Sequence, residues 1–248
     1  MIPKVIHYCW FGGNELPPLA VKCIESWKKY LPEYEIKRWD ETNFDVHMIP
    51  YISEAYEAKK YAFVSDYARF WVLHKYGGLY FDTDVEVIKP LDDIILTGPF
   101  MGCEKYCDPK AEPSEISVAP GLGLGAIPNQ SFYKKILDLY SSMNFRNADG
   151  SLRLTTVVTY ITGLLCDYGL KNTNEIQEVC GIKIYPKEYF CPQDYVSGKI
   201  EITENTRTIH HYAASWQGPR QKLAKYVEKL LGKRILKVLV AIKSRIIQ

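Results

Sequence analysis

Asp82 and Asp84 stand two residues apart, directly after the run Gly77-Gly78-Leu79-Tyr80-Phe81. On an extended chain, residues i and i+2 share a face, so the two carboxylates would lie side by side. Like charges that close stay ionised only beside a cation. An oxygen-rich pair suits a hard divalent ion such as Mg²⁺ or Mn²⁺, which leaves room for substrate phosphates. Alone, a DxD arises by chance and usually sits in a solvated loop. Here an apolar strand leads into it, out of an apolar helix. Asp66 and Arg69 lie three apart and share a face of that helix. An exposed pair of this kind is worth only about 0.2–0.5 kcal/mol. Phe63, Val64, Tyr67, Phe70 and Trp71 around it imply burial, where a charged pair needs further partners. A diphosphate for the arginine and a sugar hydroxyl for the aspartate would supply them.

The elements that must position these groups follow from periodicity. Lys4 to Cys9 reads as a buried first strand, followed by a loop at Trp10-Phe11-Gly12-Gly13. Leu19 to Tyr30 has helical spacing behind Pro17-Pro18, and Glu35 to Trp39 reads as a second strand. Strand, helix, strand at this spacing is a βαβ unit, so an α/β fold with a parallel sheet is expected. Ala62 to Tyr76 is the clearest helix, with Gly77-Gly78 as its stop. Leu79 to Phe81 and Val85 to Ile88 flank the aspartates as short strands. Gly102 to Glu115 reads as a polar loop. Gly121 to Ile127 alternates glycine with leucine, which suits a strand pressed against a ligand or another backbone. Helices are expected over Phe132 to Met143 and Thr155 to Tyr168, and late strands over Lys183 to Tyr185 and Thr206 to His210. In open α/β sheets, ligands bind beyond the carboxyl ends of the strands, where the aspartates would fall.

With 248 residues, 47% hydrophobic and 24% charged, the chain is no disordered, collagenous or coiled-coil sequence. Its net charge of +2 hides an asymmetry: residues 219–248 carry nine Lys or Arg and one Glu, a net of +8 that leaves −6 for residues 1–218. That argues against whole-surface nucleic-acid binding and for one local electrostatic contact. Seven scattered cysteines without a CxxC read as buried free thiols in a reducing cytosol, not as a zinc site. The opening residues lack the order of a signal peptide, and no run of about 18 apolar residues would span a membrane.

Taken together, Ser65-Asp66-x-x-Arg69, Gly77-Gly78-x-Tyr80-x-Asp82-x-Asp84, the opening Ile2 to Gly13 and the closing His210-His-Tyr-Ala-Ala-Ser215-Trp216 resemble a known signature. It is that of the DXD-containing sugar transferases of glycosyltransferase family 32, which include yeast initiating mannosyltransferases and bacterial capsular-polysaccharide enzymes. The glucosylating domains of the large clostridial toxins are similar. The resemblance implies a GT-A fold over residues 1–218, a Rossmann-like, mostly parallel sheet with a smaller mixed sheet. It implies a nucleotide-sugar donor held through Mn²⁺ or Mg²⁺, and transfer with retention. By position, Trp10 would stack on the nucleobase and Tyr80 would lie beside the nucleoside. Ser65, Asp66 and Arg69 would hold the donor sugar and phosphates. Asp82 would contact ribose or the metal, Asp84 the metal, and His210 would be a further metal ligand. Ser215 and Trp216 would close over the diphosphate. Strand alternation lets only one of His210 and His211 face the site. Bland alternatives stand beside these: Trp10 as core, the tandem histidines as no ligands. Thr159 and Thr162 are further pocket candidates.

The implied reaction moves a hexose from a UDP-sugar, or GDP-mannose, to a saccharide or lipid-linked acceptor in capsular or surface polysaccharide synthesis. A two-carboxylate glycoside hydrolase and a non-catalytic nucleotide-sugar binding module are the competing readings. Residues 219–248 hold a basic amphipathic helix, with Tyr226, Val227, Leu230, Leu231, Leu236 and Val240 at helical spacing among lysines and arginines. Such a helix suits an anionic membrane surface, and a cytoplasmic protein peripheral on the inner face of the plasma membrane is expected. Packing on the body or on another subunit is its alternative.

Overall fold

The computed structural model describes residues 1–105, 116–194 and 198–213. β1 (Val5–Cys9), α1 (Pro18–Tyr30) and β2 (Glu35–Trp39) form the expected βαβ unit, with Val5 opposite Glu35 and Cys9 opposite Trp39 in parallel register. α1 starts on Pro18 and turns Ala20, Cys23, Ile24 and Trp27 inward at helical spacing. Two of its residues grip the neighbouring strand β4 (Val85–Val87). Trp27 Nε1–H donates to Val85 O at 2.7 Å, and Ser26 Oγ accepts from Val87 N–H at 2.9 Å.

α2 (Pro50–Glu57) precedes α3 (Tyr61–Tyr76), which buries residues all round, Asp66 and Arg69 among them. α3 ends at Gly77, whose φ of +66° favours glycine. A Cβ there would stand 2.7 Å from Pro128 Cδ and 2.9 Å from Ala126 O, so the close approach of the backbones demands glycine as well. β3 (Gly78–Tyr80) follows at once and pairs parallel to β1. Buried His7 pins this junction. Trp39 Nε1–H donates to its Nδ1 at 3.0 Å, and its Nε2–H donates to Gly77 O at 3.0 Å. Burial pushes its pKa down to about 4.

The remaining elements are α4 (Asp92–Ile95), β5 (Phe100–Gly102), β6 (Leu124–Ala126), α5 (Ser131–Ser141), α6 (Val157–Asp167), β7 (Gln177–Val179), β8 (Ile182–Tyr185), α7 (Lys187–Phe190) and β9 (Thr208–His210). The large sheet runs β2-β1-β3-β6-β5-β8-β7, and β4 and β9 form a second sheet. This large sheet with a small one is the α/β layout that the resemblance implied. Parallel pairing is confined to β2-β1-β3 and β5-β8, with antiparallel pairs between and beyond them. The sheet is therefore mixed rather than mostly parallel, and the small sheet is an antiparallel pair.

One apolar cluster gathers around α2, α3, α5 and α6, and another around α1, Phe81, Phe100 and Phe190. Each fully buried Leu or Phe in them contributes about 1.5–3 kcal/mol. Of the six described cysteines, Cys9, Cys23, Cys103 and Cys191 are buried, whereas Cys166 is exposed. No helix among the described residues is long and apolar enough to cross a membrane. The polar-loop expectation at 102–115 falls partly, and the C-terminal helix at 219–248 wholly, outside the described residues.

Candidate active site

The site forms where β1 and β3 end and the chain passes to the second sheet. After β3, Phe81 N–H still reaches His7 O at 3.2 Å, and then Val85 N–H donates to Asp82 O at 3.0 Å. Asp82 and Asp84 thus sit on a tight turn, not on the extended strand that the i, i+2 argument assumed. The turn is forced because β3 and β4 belong to different sheets. β4 and β9 pair antiparallel with Val85 opposite His210, which carries His210 to the turn. Ligand atoms of Asp82, Asp84 and His210 all lie within 4.8 Å of one another.

The two histidines, open in the sequence, separate here. His210 Nε2 lies 3.2 Å from Asp84 Oδ1. His211 turns away, with Nε2 2.7 Å from Glu86 Oε2, an oxygen that Lys22 Nζ also reaches at 3.0 Å. Asp84 is held further by Ala213 N–H, which donates to Oδ2 at 2.8 Å. Burial alone would raise the Asp84 pKa, but His210 and the Ala213 amide outweigh it and hold the carboxyl below its usual range. Burial likewise works against the His210 imidazolium, and Asp84 overcomes it, holding that pKa up at about 10.

Arg69 joins the two halves of the site. Its Nη2 lies 3.0 Å from Asp66 Oδ1 and 3.3 Å from Asp82 Oδ1, and its Nε–H donates to Ser65 O at 3.1 Å. The guanidinium lies 5.0 Å from the Tyr80 ring centroid, and Tyr80 O–H donates to Asp82 Oδ1 at 3.1 Å. Side-chain exposures of 5% for Arg69 and 10% for Asp66 discard the solvated-pair reading. Burial pushes the Asp66 carboxyl up to about 6, against Arg69 and the Val157 amide, with Asp82 adding repulsion. Burial opposes the Arg69 charge, yet Asp82, Tyr80 and Asp66 hold its pKa above the usual value. Backbone contact fixes Asp82 from the far side: its N–H donates to Gly121 O at 3.0 Å. A Cβ on Gly121 would fall 2.0 Å from Asp82 Oδ2.

These groups face a cavity of about 380 Å³. Trp10, Ser65, Asp66, Arg69, Tyr80, Asp82, Asp84 and His210 all line it, with Gly121 and Leu122 from the glycine-rich run. Trp10 is half-buried at its wall rather than in the core, and its Nε1–H donates to Asn14 O at 2.7 Å. Ser215 and Trp216 lie outside the described residues. Thr159 and Thr162 do not reach the cavity; Thr162 Oγ1 instead accepts from Val118 N–H at 2.9 Å. The start of α6 takes their place, through Thr156, Val157 and Val158. Tyr61, Glu104 and Tyr212 also line the cavity and went unseen in the sequence, because no local pattern marks them.

Two carboxylates and an imidazole with ligand atoms within 4.8 Å of one another suit a divalent cation. Arg69 beside them suits an anion such as a phosphate.

Comparison with known proteins agrees with this chemistry. Residues 17–101 match the model of the family described as the glycosyltransferase sugar-binding region containing a DXD motif. An inositol phosphoceramide mannosyltransferase of Schizosaccharomyces pombe is 33% identical over 102 residues, which cover 38% of this chain and 27% of the relative. A mannosyl phosphorylinositol ceramide synthase of Saccharomyces cerevisiae is 24% identical over 141 residues, 55% of this chain and 35% of the relative. An uncharacterised glycosyltransferase of Acanthamoeba polyphaga mimivirus is 32% identical over 115 residues, 42% of this chain and 44% of the relative. The chain thus spans less than half the length of these relatives. Among solved structures, the PaToxG glycosyltransferase is similar with a TM-score of 0.42 and 21% identity, over 56% of this chain and 60% of that one. A glycosyltransferase involved in glycosylation of the major capsid of PBCV-1 has a TM-score of 0.48 and 11% identity, over 86% and 95% of the two chains. From α1 to β5, and therefore through Asp66, Arg69, Asp82 and Asp84, the chain resembles the DXD-containing sugar-binding region of glycosyltransferases.

Proposed function

We propose that the protein is a metal-dependent, retaining glycosyltransferase that moves a hexose from a nucleoside-diphosphate sugar to a hydroxyl of a saccharide or lipid-linked saccharide. The observation that carries this reading is Arg69, ion-paired at 3.0 and 3.3 Å to Asp66 and Asp82, beside the Asp82, Asp84 and His210 cluster in one cavity. Asp82, Asp84 and His210 would hold Mn²⁺ or Mg²⁺, which when bound neutralises charge on a leaving diphosphate. Arg69 supplies a second, fixed positive charge for the same developing anion. Asp66 accepts a hydrogen bond from a donor-sugar hydroxyl, and Trp10 offers its ring to the nucleobase. Departure of a diphosphate needs no protein acid. Among the described residues no side chain of the site is assigned as a nucleophile, and acceptor attack on the same face as departure is the route we favour for retention. The mannosyl relatives support a hexose, with UDP-hexoses and GDP-mannose as the candidate donors. Surface or capsular polysaccharide synthesis at the inner face of the plasma membrane is the setting that fits the basic segment at 219–248.

Thermal unfolding with UDP, GDP, UDP-glucose, UDP-galactose and GDP-mannose, each with Mn²⁺ or with EDTA, tests this. One nucleotide series should raise the midpoint only with metal, and Asp84→Ala should abolish the rise. A rise equal in EDTA, or no rise with any donor together with no nucleotide release, overturns the reading.

A further inference from the structure

Among the described residues four carboxylates line the cavity, and the reading above uses three of them: Asp66, Asp82 and Asp84. Each of those is answered by a cation, Arg69 for the first two and His210 for the third. The fourth, Glu104, meets no Lys, Arg or His within ion-pair distance among the described residues. It is nevertheless a fixed group. Just after β5, Cys103 bridges Val118, Glu104 N–H donates to Ser117 O at 2.8 Å, and Ser117 Oγ–H donates to Glu104 Oε1 at 3.0 Å. A carboxylate accepts about four hydrogen bonds. With one oxygen on Ser117, most of that capacity is left for whatever occupies the cavity. Tyr212 lines the same cavity, and its ring lies 4.3 Å from that of His210.

An ionised carboxylate is a poor companion for a diphosphate and a good one for a polyol, whose hydroxyls donate to it. We propose that Glu104 binds the acceptor: its carboxylate accepts hydrogen bonds from hydroxyls of the incoming polyhydroxy compound and holds it over the sugar being transferred. The assignment rests on the transferase reading. In the transfer, the bond from the acceptor oxygen to the anomeric carbon forms as the bond from that carbon to the phosphate oxygen breaks. The acceptor's hydroxyl proton leaves with the diphosphate. Glu104 keeps no proton; it positions the acceptor and so favours a polyol over water.

The test compares wild type with Glu104→Gln, which keeps size and one acceptor oxygen, and Glu104→Ala. With Mn²⁺ and the donor panel above, released nucleoside diphosphate and sugar handed to methyl α-mannopyranoside, methyl β-galactopyranoside, myo-inositol or glycerol are measured together. Both variants should lower the ratio of transfer to hydrolysis at least ten-fold, with a raised acceptor KM for Gln and a larger effect for Ala. Equal loss of hydrolysis and transfer would make Glu104 a donor residue and overturn the assignment. An unchanged ratio overturns it, as does a wild type that hydrolyses donor but transfers to none of the polyols. A wild type that neither binds nor hydrolyses any donor fails the transferase reading itself, and the acceptor assignment falls with it.

Discussion

Gly121 shows how closely one residue can be tied to the chemistry. Its carbonyl receives the Asp82 amide, and its missing side chain leaves space for the Asp82 carboxylate, 2.0 Å from where a Cβ would be. The contact is with a carboxylate held by Arg69 and Tyr80, not with the free end of a flexible chain. Gly121→Ala should therefore displace Asp82 and break its pair with Arg69. The expected outcome is a folded protein whose metal-dependent nucleotide stabilisation is lost or weakened at least ten-fold. Unfolding midpoints with and without nucleotide and Mn²⁺ check it, and a variant that responds like wild type refutes the steric argument. Arg69 is constrained in a different way. Its planar fork spans Asp66 and Asp82 at 3.0 and 3.3 Å while Nε–H is spent on Ser65 O. A lysine carries one point of charge and cannot span the two carboxylates. Arg69→Lys should cost stability and remove nucleotide binding together, since a buried carboxylate left unpaired is destabilising by about 3–5 kcal/mol.

At the scale of elements, the site depends on β1, β2 and β3 ending together, and buried His7 is the side chain that joins all three. It receives Trp39 Nε1–H from β2 and donates to Gly77 O at the head of β3. This arrangement needs the neutral ring. With its folded pKa lowered to about 4 from 6.5, the unfolded chain binds more protons through that window. The stability that His7 contributes is complete above pH 6.5 and lost as pH falls through 4, in total on the order of 3 kcal/mol. Asp66 works in the opposite direction: its folded pKa is raised to about 6, so its contribution is present in acid and lost as pH rises through that value. The wild-type curve is thus a difference of two effects, and His7→Gln isolates one. Glutamine can donate and accept without titrating, so its unfolding free energy should fall less than that of wild type between pH 6.5 and 4. Parallel curves would refute the linkage. The same scale explains what was legible in the sequence. β2 at Glu35–Trp39 and the helix through Asp66 and Arg69 match the sequence expectation within a residue, the helix because its apolar run is long and stops at Gly77-Gly78. α2 turns only Tyr51, Ile52 and Ala55 fully inward, too few to stand out, and three-residue strands such as β5 and β7 show no period. The DxD residues were legible but their geometry was not, because a turn between sheets replaces the extended strand. Glu104 and Tyr212 come to the cavity through pairings across β5, β9 and Val118, which no local spacing encodes.

At the scale of the whole chain, the charge is divided. Residues 219–248 carry +8 and the rest carries −6, so the acidic part alone would be repelled by an anionic bilayer. If the acceptor is lipid-linked, the basic segment must supply the attraction that brings the cavity to it. Each Lys or Arg near an anionic surface is worth about 1 kcal/mol, so the nine in this segment offer a strong attraction. Lys222, Lys225, Lys229 and Lys233 recur three or four residues apart and would fall on one helical face. Changing these four to Glu alters the charge of the segment by eight without shortening the chain. Wild type should cosediment with phosphatidylserine vesicles at low salt, lose this as salt rises, and ignore phosphatidylcholine vesicles. The fourfold variant should not bind either, yet should keep its metal-dependent response to nucleotide, because the described residues that line the cavity, Tyr212 the last of them, all precede the four lysines. Vesicle binding that survives the charge reversal would refute the membrane role. Loss of the nucleotide response with it would mean that the segment packs on the body and supports the site instead.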